Sequence, residues 1–239
     1  MSGMKRTDIR LLLCGDCAVT VEFPQKIDET INRQIRMFCN RLESAGIPGI
    51  VEYVPTYCAV TIHYDPEILS FGVLEQELWA LLDGLENVKE DAHAVKIVKI
   101  PVVYGGEYGP DLESLAKLHE MTPEQVIEIH SSKAYLIYML GFTPGFPYLG
   151  GMDPRIATPR LKTPRTKIPA GSVGIAGEQT GVYPLDSPGG WQLIGRTPLA
   201  LFDSGREQPF LLSAGDYVRF CPIPEERFEE IRLSGVFEG

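Results

Sequence analysis

From Ile27 onward apolar side chains recur every three to four residues, at Ile27, Ile31, Ile35, Phe38, Cys39 and Leu42, with polar residues between them. That spacing places them along one face of a helix, predicted from about Asp28 to Ala45 and ended by Gly46 and Pro48. A second stripe, Val73, Leu74, Leu78, Leu81, Leu82 and Leu85, follows Ser70, a residue type that suits a helix N-cap. Around these helices the period changes from about four to two. Ile9 to Leu13, Ala18 to Phe23, Ile50 to Val54, Ala59 to Tyr64 and Val95 to Tyr104 are short apolar runs bounded by turn residues, and each predicts a strand. Gly15-Asp16 is expected to form a two-residue hairpin turn, and the run from Val95 to close a small antiparallel sheet with both helices on one face.

The fold class this implies is α+β, with residues 1–95 forming an N-terminal domain that resembles a ferredoxin-like α/β unit. Beyond it the pieces shorten. Gly105-Gly106-Glu107-Tyr108-Gly109-Pro110 is glycine-rich but lacks the Gly-Lys-Ser/Thr ending of a phosphate loop. A short helix is predicted from Asp111 to His119. Thr122, Pro123 and Gln125 then supply an N-cap, a first-turn proline and a capping-box partner for a helix ending near His130. Tyr135 to Leu140, Val173 to Ala176, Trp191 to Ile194, Leu199 to Phe202 and Tyr217 to Phe220 predict strands, and Glu225 to Ile231 a terminal helix. Many short strands with long loops predict a closed or partly closed β-barrel over residues 96–239.

Composition narrows the function classes. A net charge of −10 disfavours nucleic acid and anionic membranes as partners, since both attract a basic face. No apolar run has the length of a membrane span. Lys5 and Arg6 precede Leu11-Leu12-Leu13-Cys14, but Asp8 and Arg10 interrupt the apolar run, so a strand is predicted there rather than a secretion signal. The five cysteines are odd in number and scattered, as expected of reduced thiols in a cytoplasmic protein. Cys14-Gly15-Asp16-Cys17 lies between two strand-like runs, without the helix that lowers the thiol pKa in a redox centre. His63 and His93 are expected to be exposed or packed rather than catalytic.

Residues 141–198 stand apart, with 11 of the 24 glycines, 9 of the 19 prolines and six basic residues against three acids. Large apolar residues are interleaved throughout, so the segment is predicted to form ordered loops around a site rather than a disordered tract. Its motifs come in a fixed order: Phe142-Thr143-Pro144-Gly145-Phe146-Pro147-Tyr148-Leu149, Pro159-Arg160 with Pro164-Arg165, Pro169-Ala170-Gly171-Ser172-Val173, Tyr183-Pro184, and Ser187-Pro188-Gly189-Gly190-Trp191 with Gly195-Arg196-Thr197-Pro198. The set resembles the signature of the family of 5-oxoprolinase B subunits and KipI, also labelled allophanate hydrolase subunit 1. The resemblance implies an N-terminal α/β domain and a C-terminal cyclophilin-like β-barrel. It also implies direct pairing with the C subunit of 5-oxoprolinase and, with the A subunit added, a complex that hydrolyses ATP to open 5-oxoproline to glutamate. KipI-like members inhibit a histidine kinase instead, and the motifs do not separate the two activities.

The candidate site follows from the chemistry. Phosphorylating a lactam oxygen makes a poor electrophile a good one, so a substrate carboxylate and ATP, with Mg2+, must be held close together. Arg160 and Arg165 suit anions because the planar guanidinium binds them bidentately. Gly145, Gly171, Gly189 and Gly190 can offer backbone N–H groups to an oxyanion or phosphate, or simply serve tight turns. Phe142, Phe146, Tyr148 and Trp191 are candidates for the wall of a small-molecule pocket, or for the barrel core. His130 matches a family histidine ahead of the aromatic loop and can act as a general acid or base, or cap a helix C-terminus. No metal-ligand set is proposed; Asp153 and Asp186 are two acids without known geometry.

Overall fold

The computed structural model describes residues 8–85, 96–235 and 237. Contacts divide the chain into two compact units, Met1–Ala94 and Val95–Gly239. In the first, β1 (Arg10–Leu13) and β2 (Ala18–Glu22) form a hairpin, followed by α1 (Glu29–Ala45), β3 (Ile50–Pro55), β4 (Ala59–Tyr64) and α2 (Phe71–Leu82). The sheet order is β1-β2-β4-β3, and every pairing is antiparallel. The period-two pattern explains its two faces. Val19, Val21, Val60, Ile62 and Tyr64 are buried in one cluster with Ile35, Phe38 and Leu42 of α1 and Leu74, Leu78 and Leu82 of α2. On the other face Thr20 and Thr61, opposite each other in register, share a hydroxyl hydrogen bond of 3.0 Å. Each of the large side chains fully buried here contributes about 2 kcal/mol. α1 begins where the Asp28 carboxylate accepts the Thr30 N–H at 2.9 Å and stops at Gly46, whose φ of 55° is left-handed.

Two expectations for this unit are corrected. The first hairpin loop holds three residues, not two: Cys14 N–H donates to the Ala18 carbonyl at 2.9 Å, enclosing Gly15, Asp16 and Cys17. Cys14 and Cys17 are exposed free thiols on it. The apolar run ending at Tyr104 does not close this sheet. It forms β5 (Ile97–Tyr104) of the second unit, and β1 holds the edge beside β2. Alternation tells which side chains are buried but not which strand is the partner. His93, Val95, Lys5 and Arg6 lie outside the described residues.

After β5 come α3 (Leu112–Leu118), α4 (Pro123–Ser131), β6 (Ala134–Leu140), β7 (Pro147–Gly150), β8 (Arg165–Ile168), β9 (Ser172–Ala176), β10 (Gln179–Val182), β11 (Ser187–Gly189), β12 (Gln192–Arg196), β13 (Tyr217–Pro222) and α5 (Glu226–Ser234). Seven strands form one sheet in the order β10-β9-β12-β5-β13-β6-β7. β7 and β10, its two edges, come together, so the sheet is a nearly closed barrel. β5 and β13 run parallel, while β8 and β11 form a separate antiparallel ribbon. Leu199 to Phe202, predicted as a strand, makes bends and a single bridge from Phe202 to Phe210. The capping box at Thr122 and Gln125 is present, with bonds of 3.3 and 2.9 Å.

The strands of this barrel are apolar on both faces. Val173, Ile175 and Ile194 point into the main core with Ile100, Ile137 and Phe220. Ala176 and Leu193 lie on the outer face, in a smaller cluster with Phe146, Ile168, Tyr183 and Trp191. That second cluster lies under the loops of the glycine- and proline-rich segment. Among the described residues no helix is long and apolar enough to cross a membrane.

Candidate functional site

The outer cluster begins with a pair of glycines. Gly174 of β9 and Gly181 of β10 are register partners, and neither could carry a side chain without crowding Trp191. A Cβ on Gly174 would lie 3.1 Å from Trp191 Cβ; one on Gly181 would lie 3.1 Å from the indole Cζ3 and 3.2 Å from Phe146 Cζ. The two rings therefore rest on bare backbone. Phe146 meets Trp191 edge to face at 5.6 Å and Tyr183 at 5.5 Å, while Tyr148 packs on Phe146 at 5.3 Å. Such geometries add about 1 kcal/mol per pair to burial and fix ring orientation. Phe142 extends the array outward. It touches Phe146 at 5.8 Å, is 70% exposed and holds a left-handed φ of 68°, which is uncommon for an aromatic residue.

These rings wall a pocket of about 180 Å³. All four predicted wall residues line it, together with Arg160, Gly189 and Gly190. Tyr183 and Pro188 line it as well, though sequence alone does not single them out. Tyr183-Pro184 is visible as a motif, but a tyrosine among glycines does not reveal which way its hydroxyl points. Phe146 and Trp191 are both core and wall, with 2% and 7% of their surface exposed.

The two Pro-Arg arginines part company. Arg165 donates to Asp111 Oδ1 at 2.7 Å and reaches the Trp191 carbonyl at 3.4 Å. Asp111 Oδ2 accepts the Leu193 N–H at 2.6 Å, so the ion pair pins β12 and the Trp191 loop to the start of α3. Arg165 is thus committed to bracing the pocket and is not among the residues lining it. Sequence inspection missed Asp111 because a buried acid before a short helix looks like any N-cap. Elsewhere in the segment Arg155 pairs with Asp153, Lys167 with Asp186, and Arg196 Nε donates to the Ala170 carbonyl. Arg160 is exposed, and no acid among the described residues pairs with it.

His130 lies in the barrel core, not at the pocket. It is fully buried and stacks on Phe220 at 4.5 Å. Thr180 Oγ1 donates to the Gly174 carbonyl at 3.2 Å and accepts from His130 Nε2–H at 2.7 Å; Nδ1 accepts the Tyr104 hydroxyl at 2.8 Å. Burial lowers its pKa to about 3, so the ring is neutral. Both nitrogens are engaged within the core, and His130 is not among the residues that line the aromatic-walled pocket. At the helix end it is the Tyr135 side chain, not the imidazole, that meets a free carbonyl: its hydroxyl donates to the His130 carbonyl at 2.6 Å.

The other predicted donors divide similarly. Gly171 N–H is already given to the Tyr183 carbonyl at 2.7 Å, and a Cβ there would lie 2.3 Å from the Thr197 oxygen. Gly145, with φ 83°, lets the aromatic turn pass Phe202. Neither lines the pocket, whereas Gly189 and Gly190 do. Asp153 caps the 3-10 turn Pro154–Ile156, and Asp186 accepts the Ala170 N–H at 2.8 Å.

Comparison with known proteins places this arrangement. The sequence profile of the carboxyltransferase domain, subdomain C and D, matches residues 9–212. The 5-oxoprolinase B subunit of Bacillus subtilis (strain 168) is 46% identical over 226 residues, covering 90% of this chain and 92% of that protein. Its counterpart of the same name in Escherichia coli O157:H7 is 43% identical, over 90% and 97%. The crystal structure of TTHA0988 superposes with a TM-score of 0.78 at 39% identity, over 87% of this chain and 40% of that longer one. With a profile match over most of its length and relatives matched nearly end to end, the chain belongs to the carboxyltransferase subdomain C and D family, in the family that includes the 5-oxoprolinase B subunits.

Proposed function

We propose that the chain is the B subunit of an ATP-dependent 5-oxoprolinase, a hydrolase complex that opens 5-oxoproline to L-glutamate at a site shared with the C subunit. One observation carries the reading: Arg160, a guanidinium with no ion-pair partner among the described residues, lines a small aromatic-walled pocket in a chain 46% identical to a 5-oxoprolinase B subunit. In this reading Arg160 takes the carboxylate of the ligand. Phe146, Tyr148 and Trp191 enclose its ring, and Phe142 reaches outward toward a partner chain. Gly189 and Gly190 keep the wall thin beside it.

The pocket is small for a whole nucleotide. About 180 Å³ suits a five-membered ring with a carboxylate, and ligand pockets commonly start at about 300 Å³. Arg165 and the Gly171 N–H, two of the other candidate phosphate contacts, are already bonded within the chain. The nucleotide and its Mg2+ are accordingly assigned to the partner subunits. The test is co-expression with the C and A subunits, followed by ATP-dependent glutamate release from 5-oxoproline. A stable, ATP-competent complex that releases none would overturn the reading, and inhibition of histidine-kinase autophosphorylation by the purified chain would replace it.

A further inference from the structure

We propose that the Tyr183 hydroxyl is the second polar contact of the ligand in this pocket, donating its proton to a neutral carbonyl oxygen while Arg160 holds the carboxylate. The starting point is a donor that the fold leaves over. The Tyr183 ring is 2% exposed and held edge to face by Phe146 at 5.5 Å and Trp191 at 6.1 Å, so the position of its oxygen is fixed. The Trp191 backbone N–H faces that oxygen as a donor. A phenol that meets only N–H donors still has its own proton to place. Among the described residues no carbonyl or carboxylate takes that proton. Arg160, beside it, carries donors alone and cannot accept.

Gly189 keeps this hydroxyl accessible. A Cβ at that position would stand 2.5 Å from the Tyr183 oxygen and 2.8 Å from Ile168 Cδ1. Any side chain there would displace the hydroxyl or fill the space beside it. The requirement for glycine thus comes from the tyrosine, not from a turn. Burial raises the phenol pKa above its usual value, partly offset by Arg160, the Trp191 N–H and Arg165, so the group remains a neutral donor through neutral pH.

One charged and one neutral donor, set in aromatic walls, match a small ring with a carboxylate at one point and an uncharged carbonyl at another. A cyclic amide bearing a carboxylate has that pattern. A donor on one lone pair of the lactam oxygen fixes that oxygen in place and leaves its other lone pair open for phosphoryl transfer. This inference rests on the 5-oxoprolinase reading above and adds which oxygen the chain recognises.

The test uses the assembled complex and two competitors that each lack one group. Proline keeps ring and carboxylate without the ring carbonyl; 2-pyrrolidone keeps the lactam without the carboxylate. Tyr183→Phe retains the ring packing, and thermal melting confirms the fold. It is expected to raise the KM for 5-oxoproline about tenfold and to weaken inhibition by 2-pyrrolidone, leaving inhibition by proline unchanged. Arg160→Ala is expected to do the reverse to the competitors. Equal weakening of both by Tyr183→Phe would mark a structural role and overturn the proposal. So would no change in either, or a wild-type complex that neither competitor inhibits. A wild-type complex inactive on 5-oxoproline sinks the function and this inference together; normal turnover with unmoved competitor selectivity sinks the inference alone.

Discussion

The barrel interior around His130 and the outer pocket beside Trp191 are built from the same materials, aromatic rings and one basic side chain, yet they treat polar atoms in opposite ways. Neighbouring residues of β10 serve the two sides: Thr180 bonds His130 within, and Gly181 underlies Trp191 without. Inside, each imidazole nitrogen has a partner and the ring is excluded from water. Outside, Arg160 and the Tyr183 proton have none among the described residues, and both line open space. Satisfied donors in a sealed core hold a fold together. Unsatisfied ones at a pocket wall are available to a ligand.

The sharpest way to break this comparison is to remove the inner base. His130→Ala leaves a cavity and two buried hydroxyls without their partner, and is expected to cost about 4 kcal/mol of stability in a urea melt. A chain that stays equally stable but loses turnover would reverse the roles assigned to the two regions. The same residue gives a pH signature. Its folded pKa lies near 3, against 6.5 for a free imidazole. Between those values the unfolded chain binds a proton that the folded chain refuses, so stability falls as pH falls below about 6.5. The slope from this residue is about 1.4 kcal/mol per pH unit well inside the window. His130→Gln, which can accept from Tyr104 and donate to Thr180, removes that slope. Identical slopes in the two proteins would show that the histidine titrates normally.

Next in size is the brace. Asp111→Ala strands the partly buried Arg165 and the Leu193 N–H together, with an expected cost of about 3 kcal/mol. Because the pair anchors the Trp191 loop, weaker substrate binding should accompany the loss of stability. A destabilised variant with an unchanged KM would mean that the pocket does not depend on its brace.

How much of this was legible in the sequence differs between the two regions for a physical reason. Periodicity and end signals locate α1, α2 and α4 because a helix bonds locally and its cap residues lie within a few positions. They assign β5 to the wrong sheet, because strand partners are distant in sequence: Tyr217 to Pro222 pairs with it in parallel. The pocket wall was readable as composition, since Phe142, Phe146, Tyr148 and Trp191 lie in one glycine-rich segment. What separates Arg160 from Arg165 was not. Both follow a proline, and the carboxylate that claims one of them lies 54 residues upstream. The surroundings of His130 are hidden for the same reason, since its partners Tyr104 and Thr180 are 26 and 50 residues away.

Arg160→Ala tests the outer half directly. An exposed arginine without an ion-pair partner among the described residues should leave stability within about 0.5 kcal/mol of wild type. In the assembled complex kcat/KM for 5-oxoproline should fall about 30-fold, equivalent to about 2 kcal/mol for a charge-assisted contact. Assembly of the complex should be intact by size exclusion. Unchanged kinetics would remove Arg160 from the site and leave the pocket without its charged contact.

The smallest expected effect is also the closest control. Lys167 lies in the same basic stretch as Arg160 and pairs with Asp186 at 2.9 Å, with both side chains more than half exposed. Exposed pairs of this kind contribute little, because water screens the attraction and ordering two long side chains costs entropy. Asp186 also keeps its bond from the Ala170 N–H when the lysine is gone. Lys167→Ala should therefore change kcat/KM by less than about twofold and leave the melting temperature where it was. If it instead matched Arg160→Ala, the segment would be acting through its overall positive charge, and the contrast between an occupied cation and an open one would not explain the site.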